Sequence, residues 1–274
     1  MKIYKSGKDI IIESAGKHHI AQSKNWDQLV NQENLYKKLK EEIQPWTEVN
    51  WSPKNLEAPI GTQEIWAAGV TYYRSREARM EESKESGADV FYSKVYEAER
   101  PELFFKSTHY RVAKPNGEVK IRKDSKWNVP EPELTLFINV RGEIAGYTIG
   151  NDMSSRDIEG ENPLYLPQAK CYDQSAAIGP CLWVPEQAID TNAKIQMQIE
   201  RNGEKVFGGE ISINQMKRGH EELKSFLFRE MSFPQGVYLM TGTCLVPDDT
   251  FTLLSGDLIH ISIDGIGTLS NKVA

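Results

Sequence analysis

The sequence has few cysteines, and they lie far apart in the chain. The three are Cys171, Cys181 and Cys244, an odd number with no C-x-x-C motif among them. That pattern argues against a disulfide framework and against a cysteine-ligated zinc site. We therefore expect the three side chains to be buried, reduced thiols.

Long hydrophobic runs and an excess of basic charge are also missing. No apolar stretch approaches the roughly 20 residues that a membrane-spanning helix needs, and the opening MKIYKSGKDI carries no apolar export signal. The 33 basic and 39 acidic residues give a net charge of −6, which disfavours a nucleic-acid surface. We expect no membrane and no nucleic-acid partner, a cytoplasmic location, and small molecules or copies of the same chain as partners.

What the sequence does have is a concentrated group of acidic residues near its centre. Glu131 and Glu133 begin an alternating apolar run, LTLFINV, that is typical of a β-strand. Residues two apart in a strand project from the same face, so both carboxylates should lie together. Pro132 between them suits a strand start or an edge, because it has no N–H to donate.

The position of a third carboxylate depends on the turn that follows this strand. A tight turn centred on Arg141-Gly142 pairs Val140 with Glu143. The same register pairs Glu131 with Asp152 and gathers three carboxylates, which are the hard oxygen ligands that Mg²⁺ prefers. A three-residue loop would instead turn Asp152 to the other face.

The rest of the chain divides into a small N-terminal part and a larger part with many short strands. Residues 1–60 contain two short strands and helical spacing from Asp27 to Ile43, which predict a small α+β domain. Residues 61–274 contain mainly short strands, with the longest helix from Ser212 to Glu230 and a polar loop from Met153 to Gln168. The expected fold class is α+β and mainly β.

Several motifs of the larger part resemble a known family. In the family's order they are PEPEL (130–134), GYTIGNDMSSRDIE (146–159), QAKCYDQSAAIGP (168–180), RNGEKVFGG (201–209), TGTCLVP (241–247) and SGDLIHISIDGIGTLSN (255–271). Together they resemble the fumarylacetoacetate hydrolase superfamily over residues 61–274. The resemblance implies a roll of mixed β-sheets and a homo-oligomer, either a dimer or a tetramer. It also implies a divalent metal, usually Mg²⁺, with Mn²⁺ or Ca²⁺ as substitutes.

A segment upstream separates the branches of this family. Its diketone hydrolases and decarboxylases usually carry a G-x-N-Y-x-x-H-x-x-E pattern, whose His and Glu work as an acid/base dyad. Here the segment reads GVTYYRSREAR, with Ser75 in the place of the His and Ala78 in the place of the Glu. This segment, VYEAERPELFFK and LPQAK resemble instead the branch that dehydrates sugar acids, in particular 2-keto-3-deoxy-D-arabinonate.

The resemblance assigns the site residues one by one. Glu131, Glu133 and Asp152 match the family's metal ligands, in agreement with the predicted hairpin. Lys170 and Glu102 match groups that transfer protons, and either of them could be the base with the other as the acid.

Substrate contacts are expected from two regions. Thr243 matches a substrate contact of the family, although Thr241 and Thr243 flank a glycine and could simply form a turn. Arg76 and Arg79 could bind the hydroxyl or carboxylate end of a substrate, whereas arginines on a charged helix are more often solvated.

The resemblance implies a hydro-lyase. A 2-keto group polarised by the metal makes C3 acidic, a base takes the C3 proton to give a metal-stabilised enolate, and the C4 hydroxyl leaves as water. Loss of water, followed by tautomerisation of the resulting enol, converts 2-keto-3-deoxy-D-arabinonate to 2,5-dioxopentanoate in pentose oxidation. One alternative is a C–C bond hydrolase of a 2,4-diketo acid of the acylpyruvate or fumarylacetoacetate type, which the missing dyad disfavours. Another is an inactive ligand-binding protein on the same scaffold, which the intact metal ligands disfavour.

Overall fold

The computed structural model describes residues 1–72 and 94–274, and most of this chain is β-strand. The strands are β1 Lys2–Ser6, β2 Asp9–Ser14, β3 Lys17–Ile20, β4 Glu48–Val49, β5 Leu56–Glu57, β6 Glu64–Gly69, β7 Glu102–Thr108, β8 Val112–Ala113, β9 Glu118–Val119, β10 Asn128–Val129, β11 Pro132–Ile138, β12 Ile144–Asp152, β13 Ser154–Ser155, β14 Ala176–Trp183, β15 Lys194–Arg201, β16 Glu204–Ser212, β17 Val237–Met240, β18 Leu258–Ile263 and β19 Gly267–Val273. The α-helices are Trp26–Val30, Leu35–Glu42, Arg156–Glu161, Leu166–Lys170 and His220–Leu227, together with one helical turn at 94–97.

The strands of the described residues form one large sheet and two smaller ones. The large sheet has 12 strands, with the order β4-β3-β2-β1-β14-β12-β11-β17-β6-β7, while β5 pairs with β1 and β8 with β14. A five-stranded sheet has the order β16-β15-β18-β19-β9, and β10 pairs with β13. Because β17 runs parallel to β6 among otherwise antiparallel neighbours, the large sheet is mixed. The predicted fold class, α+β and mainly β with mixed sheets, is confirmed.

Two hydrophobic cores divide the side chains of β11 between them. Leu136 and Ile138 belong to one core with Ile199 and other residues of the five-stranded sheet. Phe137, which projects from the opposite face, belongs to a second core with Leu39 of the N-terminal helices. This alternation is the period of two that the sequence predicted. It leaves Glu131 and Glu133 on the Phe137 face, at the N-terminal end of β11.

Residues 1–60 contribute β1–β5 and two helices to this arrangement. Strand β1 pairs with β14, with Ile3 opposite Leu182, and Ile3 lies in the same core as Phe137. A domain boundary near residue 60 stays a prediction, since a shared sheet and core do not show whether either part folds alone.

The predicted helices are shorter than the sequence pattern indicated. The one expected from Asp27 to Ile43 is interrupted, because the Asn31 side chain accepts a hydrogen bond from Val140 N (2.7 Å) and Asn34 has a left-handed φ of 52°. The one expected from Ser212 to Glu230 is limited to His220–Leu227. None of the described helices is long and apolar enough to cross a membrane.

The loop predicted from Met153 to Gln168 was wrong, because most of it is helical. Two short helices lie there, and the side chain of Asn162 accepts a hydrogen bond from Leu164 N (2.9 Å) between them. Asn162, one of the polar residues that suggested a loop, thus caps the 3-10 turn Pro163–Tyr165. The correction matters for the site, since the second helix ends at Lys170.

The cysteines carry free thiols, as predicted. Cys181 and Cys244 are buried, whereas Cys171 is only half-buried. Its Sγ lies 2.9 Å from the carbonyl oxygen of Phe105 on β7.

Candidate metal centre

The pairing of β11 with β12 brings the predicted carboxylates together. Glu131 and Asp152 exchange both main-chain hydrogen bonds, with N···O distances of 3.2 and 2.9 Å, and Glu133 lies opposite Gly150. The predicted pairing of Glu131 with Asp152 is confirmed. Directly opposed residues share a face, so the three carboxylates project on the same side of the sheet.

The turn itself differs from the prediction. Val140 does not pair with Glu143; Asn139 N donates to the Glu143 carbonyl instead (2.9 Å), which makes a three-residue loop closed by Gly142 with a φ of 77°. Such a loop alone would have turned Asp152 to the wrong face.

A β-bulge corrects the register. Ile138 pairs with Ile144 but Phe137 pairs with Gly146, so Ala145 is an extra residue on β12. One residue added in the loop is offset by one residue added in the strand. The carboxylates therefore keep the face that a two-residue turn would have given them.

The resulting cluster has the composition of a site for a hard divalent cation. Glu131, Glu133 and Asp152 are each at most 3% exposed, and each offers a carboxylate oxygen within 4.8 Å of the other two. Ligands on opposite sides of a Mg²⁺ ion stand about 4.2 Å apart, given Mg–O bonds of about 2.1 Å. The donor set and its spacing are therefore compatible with a bound Mg²⁺.

Lys170 reaches this cluster from the end of its helix. Its side chain is fully buried, and Nζ donates to Glu131 Oε2 (2.5 Å), Asp152 Oδ2 (3.2 Å) and Ser154 Oγ (2.6 Å). These three bonds use the three N–H groups of an ammonium. Lys170, which the family resemblance singled out, therefore lies in direct contact with two of the three carboxylates.

Glu133 is held differently from its two neighbours. Its Oε2 accepts a hydrogen bond from Gly242 N (2.6 Å), and no lysine or arginine in the described ranges forms an ion pair with it. Burial, together with the charges of Asp152 and Glu131, raises the pKa of Glu133 well above its ordinary value. A cation in the cluster would relieve this accumulation of negative charge.

Lys106 of β7 is a buried cation that sequence reasoning missed. Its Nζ lies 2.5 Å from Asp152 Oδ1, in a geometry that is an ion pair rather than an aligned hydrogen bond. Nζ also donates to the carbonyls of Met153 (3.0 Å) and Lys170 (2.5 Å). Burial lowers the pKa of Lys106, and the charge of Asp152 opposes that shift.

Arg156 was missed as well, although its motif was recognised. The guanidinium donates to Glu131 Oε1 (2.6 Å) and lies 3.9 Å from Glu159 Oε2, with all three side chains at most 4% exposed. Glu131 is thus fixed by Lys170 on one oxygen and by Arg156 on the other. The sequence carried one indication of this role, since Arg156 is a lone arginine only four residues after Asp152.

Glu102 lies at the start of β7 on the side of the cluster. Phe104, two residues along the same strand, has its ring 5.8 Å from Lys170 Nζ. Because residues two apart share a face, Glu102 projects from the face of β7 that Lys170 approaches. The structure therefore brings both predicted proton-transfer residues to one side of the sheet.

With this geometry in place, comparison with known proteins identifies the family. The family Fumarylacetoacetate (FAA) hydrolase C-terminal matches residues 65–274. This chain belongs to the fumarylacetoacetate hydrolase family. The resemblance inferred from the motifs is confirmed.

Two relatives of this chain are named as dehydratases. The chain is 49% identical to the Probable 2-keto-3-deoxyxylonate dehydratase of Haloferax volcanii, over 80% of this chain and 75% of the relative. It is 40% identical to the 2-dehydro-3-deoxy-D-arabinonate dehydratase of Saccharolobus solfataricus, over 78% of this chain and 73% of the relative.

A solved structure of the same family has a similar fold over its full length. It is described as 2-keto-3-deoxy-D-arabinonate dehydratase complexed with magnesium and 2,5-dioxopentanoate. The TM-score is 0.86 at 31% identity, over 100% of this chain and 98% of the other.

The remaining predicted contacts have different outcomes within the family's fold. Thr243 is half-buried, and its Oγ1 accepts a hydrogen bond from Leu245 N (3.3 Å), as in a local turn. Thr241 is fully buried and donates through Oγ1 to the Leu134 carbonyl (2.9 Å), which makes it structural. Arg76 and Arg79 lie outside the described residues, and their contact with substrate stays a prediction.

Proposed function

We propose that this chain dehydrates a 2-keto-3-deoxy sugar acid, with 2-keto-3-deoxy-D-arabinonate as substrate and 2,5-dioxopentanoate as product. The observation that carries the proposal is the buried Glu131–Glu133–Asp152 cluster with Lys170 in contact, in a chain 49% identical to a named dehydratase. The reaction would be that of a hydro-lyase in pentose oxidation.

The names of the two relatives point to one substrate. D-xylonate and D-arabinonate differ only at C2 and C3. Both of those stereocentres are lost in the 2-keto-3-deoxy acid, so for sugars of the D series the two names describe the same molecule. The similarity to both relatives therefore supports a single substrate proposal.

We propose Mg²⁺ as the cofactor, held by Glu131, Glu133 and Asp152. The all-oxygen donor set favours Mg²⁺ and also admits Mn²⁺ or Ca²⁺. A divalent ion there would act as a Lewis acid on the 2-keto oxygen of the substrate. Within the chain, Lys106, Lys170 and Arg156 orient Glu131 and Asp152, while Gly242 N orients Glu133, so the carboxylates are held before any ion binds.

Proton transfer is proposed for Lys170 and Glu102. One of them takes a proton from C3, and the other protonates the C4 hydroxyl so that it leaves as water. The unsaturated 2-keto acid that results then moves one hydrogen from C5 to C3, and the C5 enol that forms tautomerises to the aldehyde of 2,5-dioxopentanoate. Lys170 donates three hydrogen bonds in this structure, so it is arranged as a proton donor and must lose one proton to serve as the base.

Solvent exchange separates the two assignments. In D₂O, the variant that lacks the base should lose both C3–H exchange and dehydration. The variant that lacks the acid should keep the exchange and lose only dehydration. Lys170→Met and Glu102→Gln, followed by proton NMR of C3, therefore assign the two roles.

The alternative is a C–C bond hydrolase that cleaves a 2,4-diketo acid of the acylpyruvate or fumarylacetoacetate type. That chemistry resembles the branch of the family with a His/Glu dyad, and Ser75 and Ala78, at the dyad's positions, can supply neither group. Both residues lie outside the described ranges, and their identities are known from the sequence alone. The cytoplasmic location and the homo-oligomeric state also stay predictions.

A substrate panel tests the proposed function. The Mg²⁺-loaded protein is incubated with 2-keto-3-deoxy-D-arabinonate and, separately, with an acylpyruvate, and the products are identified by NMR. We expect 2,5-dioxopentanoate from the first compound and no cleavage of the second. Cleavage of the acylpyruvate into two acids, with the sugar acid unchanged, would establish the alternative.

A further inference from the structure

A glycine at the end of β6 lies directly beneath the Glu102 side chain. Gly69 is the strand partner of Glu102, and a Cβ built on Gly69 would stand 2.0 Å from Glu102 Oε2 and 2.5 Å from its Cδ. Carbon atoms and carboxylate oxygens do not approach so closely. The carboxylate therefore occupies space that any other residue at Gly69 would fill.

The backbone does not explain this glycine. Gly69 lies in a strand and is absent from the residues with positive φ, so an alanine could adopt its conformation without strain. The nearest atoms to the added Cβ all belong to the Glu102 side chain. Among the described residues, the space above Gly69 is thus occupied by the Glu102 side chain.

Glu102 lies on the face of β7 that is nearest to Lys170, so its contact with Gly69 affects the site. Glu102 projects on the same face as Phe104, whose ring is 5.8 Å from Lys170 Nζ. Two residues after Gly69, Thr71 Oγ1 donates a hydrogen bond to the Thr241 carbonyl (2.7 Å). The main chain at Gly69 is therefore held in place next to the site, and the Glu102 carboxylate lies against a fixed surface.

We propose that Gly69 is a positioning residue, whose missing side chain sets where the Glu102 carboxylate stands relative to Lys170 and the cluster. The proposal rests on the proposed function, in which Glu102 transfers a proton. Gly69 itself touches no reacting atom and acts only through Glu102.

Gly69→Ala tests this directly. The methyl group meets the far end of a flexible side chain rather than backbone, so the variant should fold with nearly unchanged Tm and Mn²⁺ affinity while Glu102 moves aside. A displacement near 1 Å should lower kcat by about 100-fold. The matched control is Gly219→Ala, where φ is −72° and an added Cβ meets nothing within 4 Å, and it should leave kcat unchanged.

A double-mutant cycle shows whether the effect passes through Glu102. In a Glu102→Ala background, Gly69→Ala should cause no further loss of kcat, because the side chain that it displaces is gone. If Gly69→Ala instead lowers Tm, Glu102→Ala should restore Tm by removing the atoms that the methyl group meets. The proposal is overturned if Gly69→Ala keeps the wild-type kcat, or if it lowers kcat equally in the wild-type and Glu102→Ala backgrounds. It is also overturned if Gly69→Ala lowers Tm and Glu102→Ala does not restore it.

A crystal structure of Gly69→Ala separates this proposal from the proposed function. A displaced Glu102 carboxylate supports the positioning role even if the wild-type protein dehydrates no sugar acid. A carboxylate in its original position overturns the role, whatever the activity. Failure of the wild-type reaction would count against the proposed function alone.

Discussion

Lys106 Nζ lies 2.5 Å from Asp152 Oδ1, and both side chains are at most 1% exposed. The same ammonium donates to the carbonyl of Lys170 at 2.5 Å. One buried cation therefore joins a carboxylate of the cluster on β12 to the end of the helix that carries Lys170. This contact ties the cluster and its lysine into a single unit.

Removing this cation should damage both the fold and the metal site. Lys106→Met keeps the length of the side chain but leaves Lys170 as the remaining lysine paired with Asp152 among the described residues. Breaking a buried ion pair on one side costs about 3–5 kcal/mol. We expect a fall of that size in the free energy of unfolding, measured by urea denaturation, and weaker Mn²⁺ binding by calorimetry.

An exposed pair supplies the control for Lys106. Lys17 and Glu48 form an ion pair of 2.8 Å with both side chains more than half exposed, so Lys17→Met should leave stability nearly unchanged. Equal effects of the two substitutions would contradict the role given to Lys106.

The raised pKa of Glu133 predicts how the metal-free protein responds to pH. A carboxyl with a raised pKa in the folded state stabilises the fold while it is protonated, and that contribution is lost as pH rises through the raised pKa. Glu133→Gln cannot ionise, yet it keeps an oxygen for the hydrogen bond from Gly242 N. In the presence of chelator, we expect this variant to match the wild-type stability at low pH and to exceed it at high pH.

Metal binding should respond in the opposite direction. Because a metal ion displaces the Glu133 proton, Mn²⁺ affinity of the wild-type protein should rise with pH, whereas Glu133→Gln should bind weakly throughout. Glu48→Gln, a change at an exposed carboxylate, is the control. If Glu133→Gln or Glu133→Ala binds metal as tightly as the wild-type protein, the proposed metal site is wrong. The alternative of an inactive ligand-binding protein on the same scaffold would then be favoured.

The two threonines of the glycine loop should separate stability from substrate binding. Thr241 is fully buried and bonds the Leu134 carbonyl, so Thr241→Val should lower the free energy of unfolding by about 1 kcal/mol. Thr243 is half-buried, and the only hydrogen bond of its hydroxyl within the described residues is as an acceptor. Thr243→Val should therefore raise KM for the sugar acid with little change in Tm. A lower Tm with unchanged KM would assign Thr243 to the turn alone.

The clustering of the three carboxylates could be predicted because strand periodicity has a short range. Glu131 and Glu133 needed only a strand with a period of two, and Asp152 needed a register. The predicted register was right although the predicted turn was wrong, because Ala145 offsets the extra loop residue. A bulge of this kind leaves no mark in the alternation of apolar residues, so the sequence alone could not reveal it.

The cations of the site were harder to predict because they come from distant parts of the chain. Lys106 is on β7, four strands away from β12 in the order of the large sheet, yet its Nζ lies 2.5 Å from Asp152 Oδ1. Neither its local sequence, ELFFKST, nor its spacing distinguishes it from a lysine at a strand end. Only the tertiary fold shows that its ammonium is buried. Arg156 was closer at hand, yet its role also depends on a helix that the polar composition concealed.

The most direct test of the account is a titration of metal-stripped protein with Mn²⁺ in which binding and catalysis are followed together. We predict one site per chain, with formation of 2,5-dioxopentanoate from 2-keto-3-deoxy-D-arabinonate rising in proportion to its occupancy and absent from Glu133→Gln. Dehydration at the full rate in metal-stripped protein, or in Glu133→Gln, would contradict it.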